Sequence, residues 1–227
     1  MAGWIKSFTL IYNYKEYYPK KMSVSDQKIN EAIALFKEHG GIMRTSEALD
    51  EGIHSRTLYW MRDHGYLNQL ERGVYQIKDN EPLSNPDLAV VGTKIPAAKV
   101  CLISALDFHN MTTEIPHKVH IALPREHWKP KLDYPPIQVY RFSGKSLTEG
   151  AEIHEVDGVK IHVYNPAKTI ADCFKFRNKI GMEIALESLK NGLKQRKATY
   201  SDIMKYADIC RVENVIRPYL ETIAHDT

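Results

Sequence analysis

From residue 22 onward the apolar positions recur with two periods. In SVSDQKINEAIALFKEHGG, Ile29, Ile33 and Phe36 fall at helical spacing with Ala32 beside them. Ser25 suits an N-cap and Gly40-Gly41 suits a stop, so a helix is expected over 26–39. The next stretch, TSEALDEGIHSRTLYWMRDHGYLNQLERGVYQI, changes character every few residues. It predicts a short helix over 46–51 capped by Thr45, a turn at Gly52, and a third helix from Ser55 to about His64 before Gly65. Residues 66–70 and 74–77 read as strands joined by the tight turn Glu71-Arg72-Gly73. Three helices and a hairpin make a complete small domain with the outline of a winged helix-turn-helix.

EPLSNPD, residues 81–87, is a proline-rich break and is expected to be a linker. A helix is expected near 102–110, then strands at 118–123, 137–142, 152–156 and 160–164. Asp157-Gly158 between the last two is a hairpin signal. Asn165-Pro166 is an N-cap followed by proline at the first helical position, and three or four helices follow to about Ala224. The expected class is α+β. A winged helix-turn-helix occupies 22–80, the linker 81–87, and a larger C-terminal α/β domain, mixed strands followed by a helical segment, 88–227. Residues 1–21 are rich in aromatics and lysine and show no period. They read either as a mobile extension, with Met22 as the natural start, or as a strand or helix packed on the body.

Composition narrows the class. Apolar residues make up 43% and charged residues 26%, an ordinary globular balance. No apolar run is long enough to span a bilayer, and MAGWIKSFTLIYNYKEYYPKK makes a poor signal peptide. Cys101, Cys173 and Cys210 lack CxxC spacing and fit buried thiols in a reducing cytosol, so a cytoplasmic protein is expected. The net charge is +3, and segments 1–80, 81–164 and 165–227 carry +1, −1 and +3. Any DNA contact must therefore come from the placement of a few charges rather than from bulk attraction.

On a helical wheel, Leu58, Met61 and Gly65 of the third helix face the core, whereas Arg56, Tyr59, Trp60 and Asp63 face away. Exposed large aromatics beside an arginine suggest contact residues. Ser55, Arg56, Tyr59 and Trp60 are the candidates for bases and phosphates of a major groove, with Arg56 able to bond a guanine edge twice. Thr45 and Ser46, at a helix start, could hold a phosphate, and Arg72 at the wing tip could reach the minor groove or the backbone. The alternative is that Tyr59 and Trp60 pack on this chain or on a partner protein, making the winged helix a protein-interaction module without an operator.

The run SRTLYWMRDHGYLNQLERGVYQI resembles the winged-helix domain of AbiEi-type antitoxins of bacterial abortive-infection (type IV) toxin-antitoxin systems. The likeness continues through LISALDFHNMTTEIPHKVHIALPR and VYNPAKTIADCFKFRNKIG, with its Pro-x-Lys-Thr-(apolar)-x-Asp run, and covers about residues 22 to 223. The resemblance implies a winged helix that represses the antitoxin-toxin operon by binding inverted repeats in its promoter. It also implies a C-terminal domain that provides antitoxicity, against a nucleotidyltransferase-like toxin often not held in a stable complex.

Other groupings carry less. His117 and His120 flank a strand start at a spacing that does not share a strand face, and His154 and His162 sit on two hairpin arms and could face each other. Without converging carboxylates or cysteines, no metal and no cofactor is expected. Ser104, Asp107 and His109 lack a nucleophile elbow, and no phosphate-cradling glycine motif is present, so no enzyme is expected. Asp172 reads first as a structural carboxylate paired with Lys168 or Lys175; the sharper alternative makes Lys168, Thr169 and Asp172 part of an antitoxicity surface. Lys190, Lys194 and Lys197 would share one face of a helix running through Gly192, as a solvated face or as contacts to flanking DNA phosphates. No heptad seam is visible, so a monomer is expected in solution, with two copies meeting on an inverted repeat.

Overall fold

The computed structural model describes residues 24–78 and 83–225. The expectations for residues 1–21 and for Met22 lie outside them, as do 79–80 at the end of the expected winged helix and 81–82 of the expected linker.

The N-terminal unit runs α1 (Asp26–Glu38), β1 (Ile42–Arg44), α2 (Thr45–Asp50), α3 (Ser55–Asp63), β2 (Leu67–Glu71) and β3 (Val74–Ile77). Ser25 caps α1 as expected, its hydroxyl accepting from the Lys28 amide, and Ile29, Ala32 and Phe36 are buried. The three strands form an antiparallel sheet of order β1-β3-β2. β1 has three residues, too few to show a period, and was not anticipated. Phe36, Met43, Leu58 and Met61 close the core between the helices and this sheet. Thr45 is not the cap of α2. That helix starts at Thr45, Arg44 takes the cap position, and the Arg44 amide donates to the Glu47 carboxylate at 2.9 Å.

Asn85-Pro86 opens α4 (Pro86–Lys94), with the Asn85 side chain accepting from the Leu88 amide at 3.1 Å. Residues 86 and 87 are therefore the first helical turn and not linker. Asn85-Pro86 is the same start signal that Asn165-Pro166 provides later in the chain. β4 (Lys99–Val100), α5 (Leu102–Phe108), β5 (Val119–Pro124), β6 (Ile137–Phe142), α6 (Lys145–Thr148), β7 (Ala151–Val156) and β8 (Val159–Tyr164) follow. They form a mixed five-stranded sheet of order β6-β5-β4-β8-β7. β5–β6 and β4–β8 are parallel, whereas β4–β5 and β7–β8 are antiparallel. Asp157 and Gly158 both take positive φ, 51° and 79°, as a tight hairpin turn between right-twisted strands requires. α7 (Pro166–Lys175), α8 (Arg177–Ile180), α9 (Met182–Lys194), α10 (Tyr200–Cys210) and α11 (Glu213–His225) complete the chain. The molecule is α+β, a winged helix followed by a larger mixed-sheet unit and its helices.

The five-stranded sheet buries both faces. On one, Val119, Ile121, Ile161 and Val163 pack against Leu88 and Val91 of α4 and against Ile95 just after it. On the other, Ala122, Tyr140, Phe142 and Tyr164 pack against α7, α9, α10 and α11. The winged helix rests on the α4 side. Ala89 of α4 shares a small core with Ile42 and Val74 of the wing sheet. Gly40, just after α1, lies so close to Gly158 that a Cβ on it would stand 2.5 Å from the Gly158 carbonyl oxygen. The Asp157 carboxylate accepts from the Ser84 amide, the Ser84 hydroxyl and the Asn85 amide at 2.8–2.9 Å, pinning the entry to α4.

Candidate nucleic-acid interface

α3 begins where His54 caps it, the imidazole Nδ1 accepting from the Arg56 amide at 3.1 Å. Thr57, Leu58 and Met61 turn inward and are buried. Arg56 and Tyr59 turn outward, Tyr59 being 40% exposed, and Ser55 is half-buried. Arg56 makes no ion pair among the described residues, so its guanidinium is available to an outside acceptor. Arg62 lies over the Tyr59 ring at 5.2 Å and pairs with Asp63 at 2.7 Å. The i, i+3 spacing of Tyr59 and Arg62 could have brought Arg62 into the candidate set, which omitted it.

Trp60 corrects the wheel. It is half-buried, stacks on His64 with centroids 3.8 Å apart, tilts against Tyr66 at 5.7 Å, and packs on the winged-helix core. A ring that large at the helix edge folds back over the last turn and covers apolar surface. For Trp60 the packing alternative fits and direct base contact does not. Its buried indole N–H has no hydrogen-bond partner among the described residues.

The wing turn sits between two parts of the chain. The Thr45 amide donates to the Gly73 carbonyl at 3.0 Å, and the Lys94 ammonium, from α4, donates to the Arg72 carbonyl. Lys94 also pairs at 2.8 Å with Glu71, whose side chain is nearly buried. Arg72 itself is exposed. The expected phosphate grip at Thr45 and Ser46 is not built. Ser46 is exposed, but the Thr45 amide is spent on the wing, and Glu47 already places a carboxylate over this helix start. Lys94 belongs to the site as a support and was invisible in the sequence, because it reaches the wing from 22 positions away.

The remaining candidates lie elsewhere. Lys168, Thr169 and Asp172 are fully buried, so they form no surface. Lys168 Nζ meets Asp172 Oδ2 at 2.5 Å and lies over the Tyr164 ring at 4.1 Å, while the Cys210 thiol donates to Asp172 Oδ1 at 3.2 Å. Burial pushes the Asp172 carboxyl up, with Lys168 and Cys210 acting against it. Burial also raises all three thiols, Cys210 to about 12, which keeps them protonated and inert. Lys190 and Lys194 are exposed on α9, which runs through Gly192 because a side chain there would meet Ile170. Lys197 lies past the helix end with its ammonium on the His109 carbonyl, so the three lysines do not share one helical face. α9 also packs on the side of the five-stranded sheet opposite α4 and the winged helix.

The hairpin register pairs His154 with Ile161 and His162 with Ile153, so the two histidines point to opposite faces rather than toward each other. The Ser104 hydroxyl joins the Lys118 carbonyl and the His120 amide, and the His109 ring meets the Tyr164 carbonyl, so neither serves a triad. Among the described residues no cluster of metal-ligating side chains occurs.

Comparison with known proteins bears on both halves. The crystal structure of the RV2827C protein from Mycobacterium tuberculosis is similar in fold, with a TM-score of 0.55 over 88% of this chain and 83% of that one at 10% identity. No curated protein matches the chain. Residues 30–78 match the family model described as transcriptional regulator, AbiEi antitoxin. That segment runs from within α1 to the end of the wing, so the match covers the winged helix and not the larger unit.

Proposed function

We propose that this protein is a DNA-binding repressor of its own operon and the antitoxin of a toxin-antitoxin pair, acting in the bacterial cytoplasm. Two copies read an inverted repeat, each inserting α3 into a major groove. Arg56 reads a base edge, Ser55 and Tyr59 line the groove, and Arg72 touches the backbone or minor groove from the wing. The C-terminal unit neutralises a nucleotidyltransferase-like toxin without a lasting complex. The observation that carries the reading is the outward face of α3, where Arg56, in no ion pair among the described residues, stands beside exposed Tyr59 within the segment that matches the regulator family.

A gel-shift on the protein's own upstream region tests it, with an unrelated duplex of equal length as reference. Preferential, salt-sensitive retention of the upstream region is expected, and equal retention of both duplexes would overturn the reading. Arg56→Ala should cost about 1–3 kcal/mol of binding and relax base preference. Arg72→Ala should weaken all sequences evenly and lower the salt slope by about one unit.

A further inference from the structure

Parallel strands cannot be joined by a tight turn, so the chain between β5 and β6 must cross back over the sheet. It opens with REHWKPK, residues 125–131, in which every residue but Pro130 is exposed. Trp128 is 90% exposed. A tryptophan held that far into water adds nothing to a core, and here it stands among cations. Arg125, Lys129 and Lys131 surround it against one carboxylate, Glu126, and none of the three makes an ion pair among the described residues.

The register of the sheet decides where this loop lies. Lys99 of β4 pairs with Ala122 of β5 and with His162 of β8. Arg125, three residues beyond Ala122, therefore emerges at the end of the sheet where β8 begins. That end carries the Asp157-Gly158 turn, against which the winged helix rests through Gly40. Lys94, which holds the wing, enters β4 from the same end. Further along, Leu132 packs on the α4 side of the sheet and Tyr134 sits against Asp87 in the first turn of α4. The loop thus shares the side of the molecule that bears the winged helix, whereas Lys190 and Lys194 are on the other.

We infer that the β5–β6 loop is a second DNA contact, in which Arg125, Lys129 and Lys131 hold phosphates flanking the half-site read by α3 and Trp128 packs on the sugar and base surface between them. This rests on the repressor reading. Charge favours nucleic acid over a protein partner. Residues 22–80 hold seven Lys and Arg against nine Asp and Glu, a net charge of −2, so the winged helix by itself gains little from the phosphates, and cations placed beside it supply what it lacks. Interleaving of basic and aromatic side chains suits a polyanion with flat apolar surfaces between its charges.

The test uses the full chain, the variants Trp128→Ala and Arg125→Glu/Lys129→Glu/Lys131→Glu, and a duplex of the protein's own upstream region. All changed residues are exposed, and unchanged circular dichroism and melting verify the fold. The charge variant should lose about tenfold or more in affinity at moderate salt, with the log–log salt slope falling by about two to three units. Its hydroxyl-radical footprint should retract at the outer edges and keep the protection centred on each half-site. Trp128→Ala should lose affinity severalfold with the slope unchanged. Wild-type affinity, slope and footprint in both variants would overturn the inference. So would variants that bind DNA normally but fail to protect cells from the toxin, since the loop would then serve a protein. If the wild type shows no preference for its upstream region, the repressor reading fails and the loop is judged on an unrelated duplex. Salt-dependent binding lost in the charge variant would still support the loop there, and no binding, or equal binding by the variant, would overturn it.

Discussion

At the scale of single residues, the buried pair Lys168–Asp172 carries a large desolvation cost. Two charges leave water completely and recover the loss through each other, through the Tyr164 and Phe142 rings under the ammonium, and through the Cys210 thiol. Removing one partner strands the other. Lys168→Met is expected to destabilise the protein by about 3–5 kcal/mol in urea unfolding, whereas Lys168→Met with Asp172→Leu should recover most of that loss. A double variant that folds and still neutralises toxin would confine the pair to a structural role, while a folded double variant without neutralisation would return it to the antitoxic machinery. His120 carries a second consequence. Burial, with Lys118 acting in the same sense, lowers its imidazole from 6.5 to about 4. Below pH 6.5 the unfolded chain takes up a proton that the folded chain refuses until pH about 4. The stability gained from the neutral ring is therefore complete above that window and drains away as pH falls through it. His109 and His162 are lowered in the same direction, burial first, so His120→Gln removes part of the fall and not all of it. Melting temperatures from pH 7 to pH 4 should converge between variant and wild type at one end of the range, and parallel curves would refute the assignment.

At the scale of elements, local signals were legible and sandwiched pieces were not. α1, α3, the β7–β8 hairpin and α7 announce themselves by cap residues, turn dipeptides and periods that a few neighbouring positions define. β1 and β4 have three and two residues, too short for any period, and exist because longer strands pair with them. α4 hid for a different reason. Leu88, Ala89, Val90 and Val91 are all buried, because the helix lies between the five-stranded sheet and the wing, so it has no polar stripe to alternate with. The candidate interface divides the same way: outward Arg56 and Tyr59 follow from helical geometry, but the fold-back of Trp60 and the reach of Lys94 depend on packing. Lys94 is the place to test this. Its ammonium is spent on Glu71 and on the Arg72 carbonyl, so it positions the wing without being free for phosphate. Lys94→Met should leave Glu71 a buried anion without its cation and cost about 1–3 kcal/mol of stability. Operator affinity should drop severalfold with the salt slope unchanged, and Glu71→Gln in the same chain should restore part of both. A slope that falls by a full unit would instead make Lys94 a direct phosphate contact.

At the scale of the molecule, the question is how independent the winged helix is. Residues 24–78 hold their own core, Phe36, Met43, Leu58 and Met61, which argues that a fragment of residues 22–80 folds alone and still binds the operator. Against this, Ile42 and Val74 are covered by Ala89 of α4, Gly40 is seated on Gly158, and Glu71 depends on Lys94. A unit this small is marginal to begin with. Uncovering apolar side chains costs up to about 1.5–3 kcal/mol each. The fragment is therefore expected to fold with a clearly lower melting point than the full chain, and to bind the operator only at higher concentration. Native-state hydrogen exchange makes the comparison inside the intact protein. The Tyr75 and Ile77 amides of β3 should be much better protected there than in the fragment. Equal protection in both would mean that α4 is a tether and the two halves are energetically separate. The fragment should also fail to rescue cells from the toxin, because the proposed neutralising unit is missing. Rescue by residues 22–80 would move antitoxicity onto the winged helix, and the division of labour between the halves would have to be redrawn.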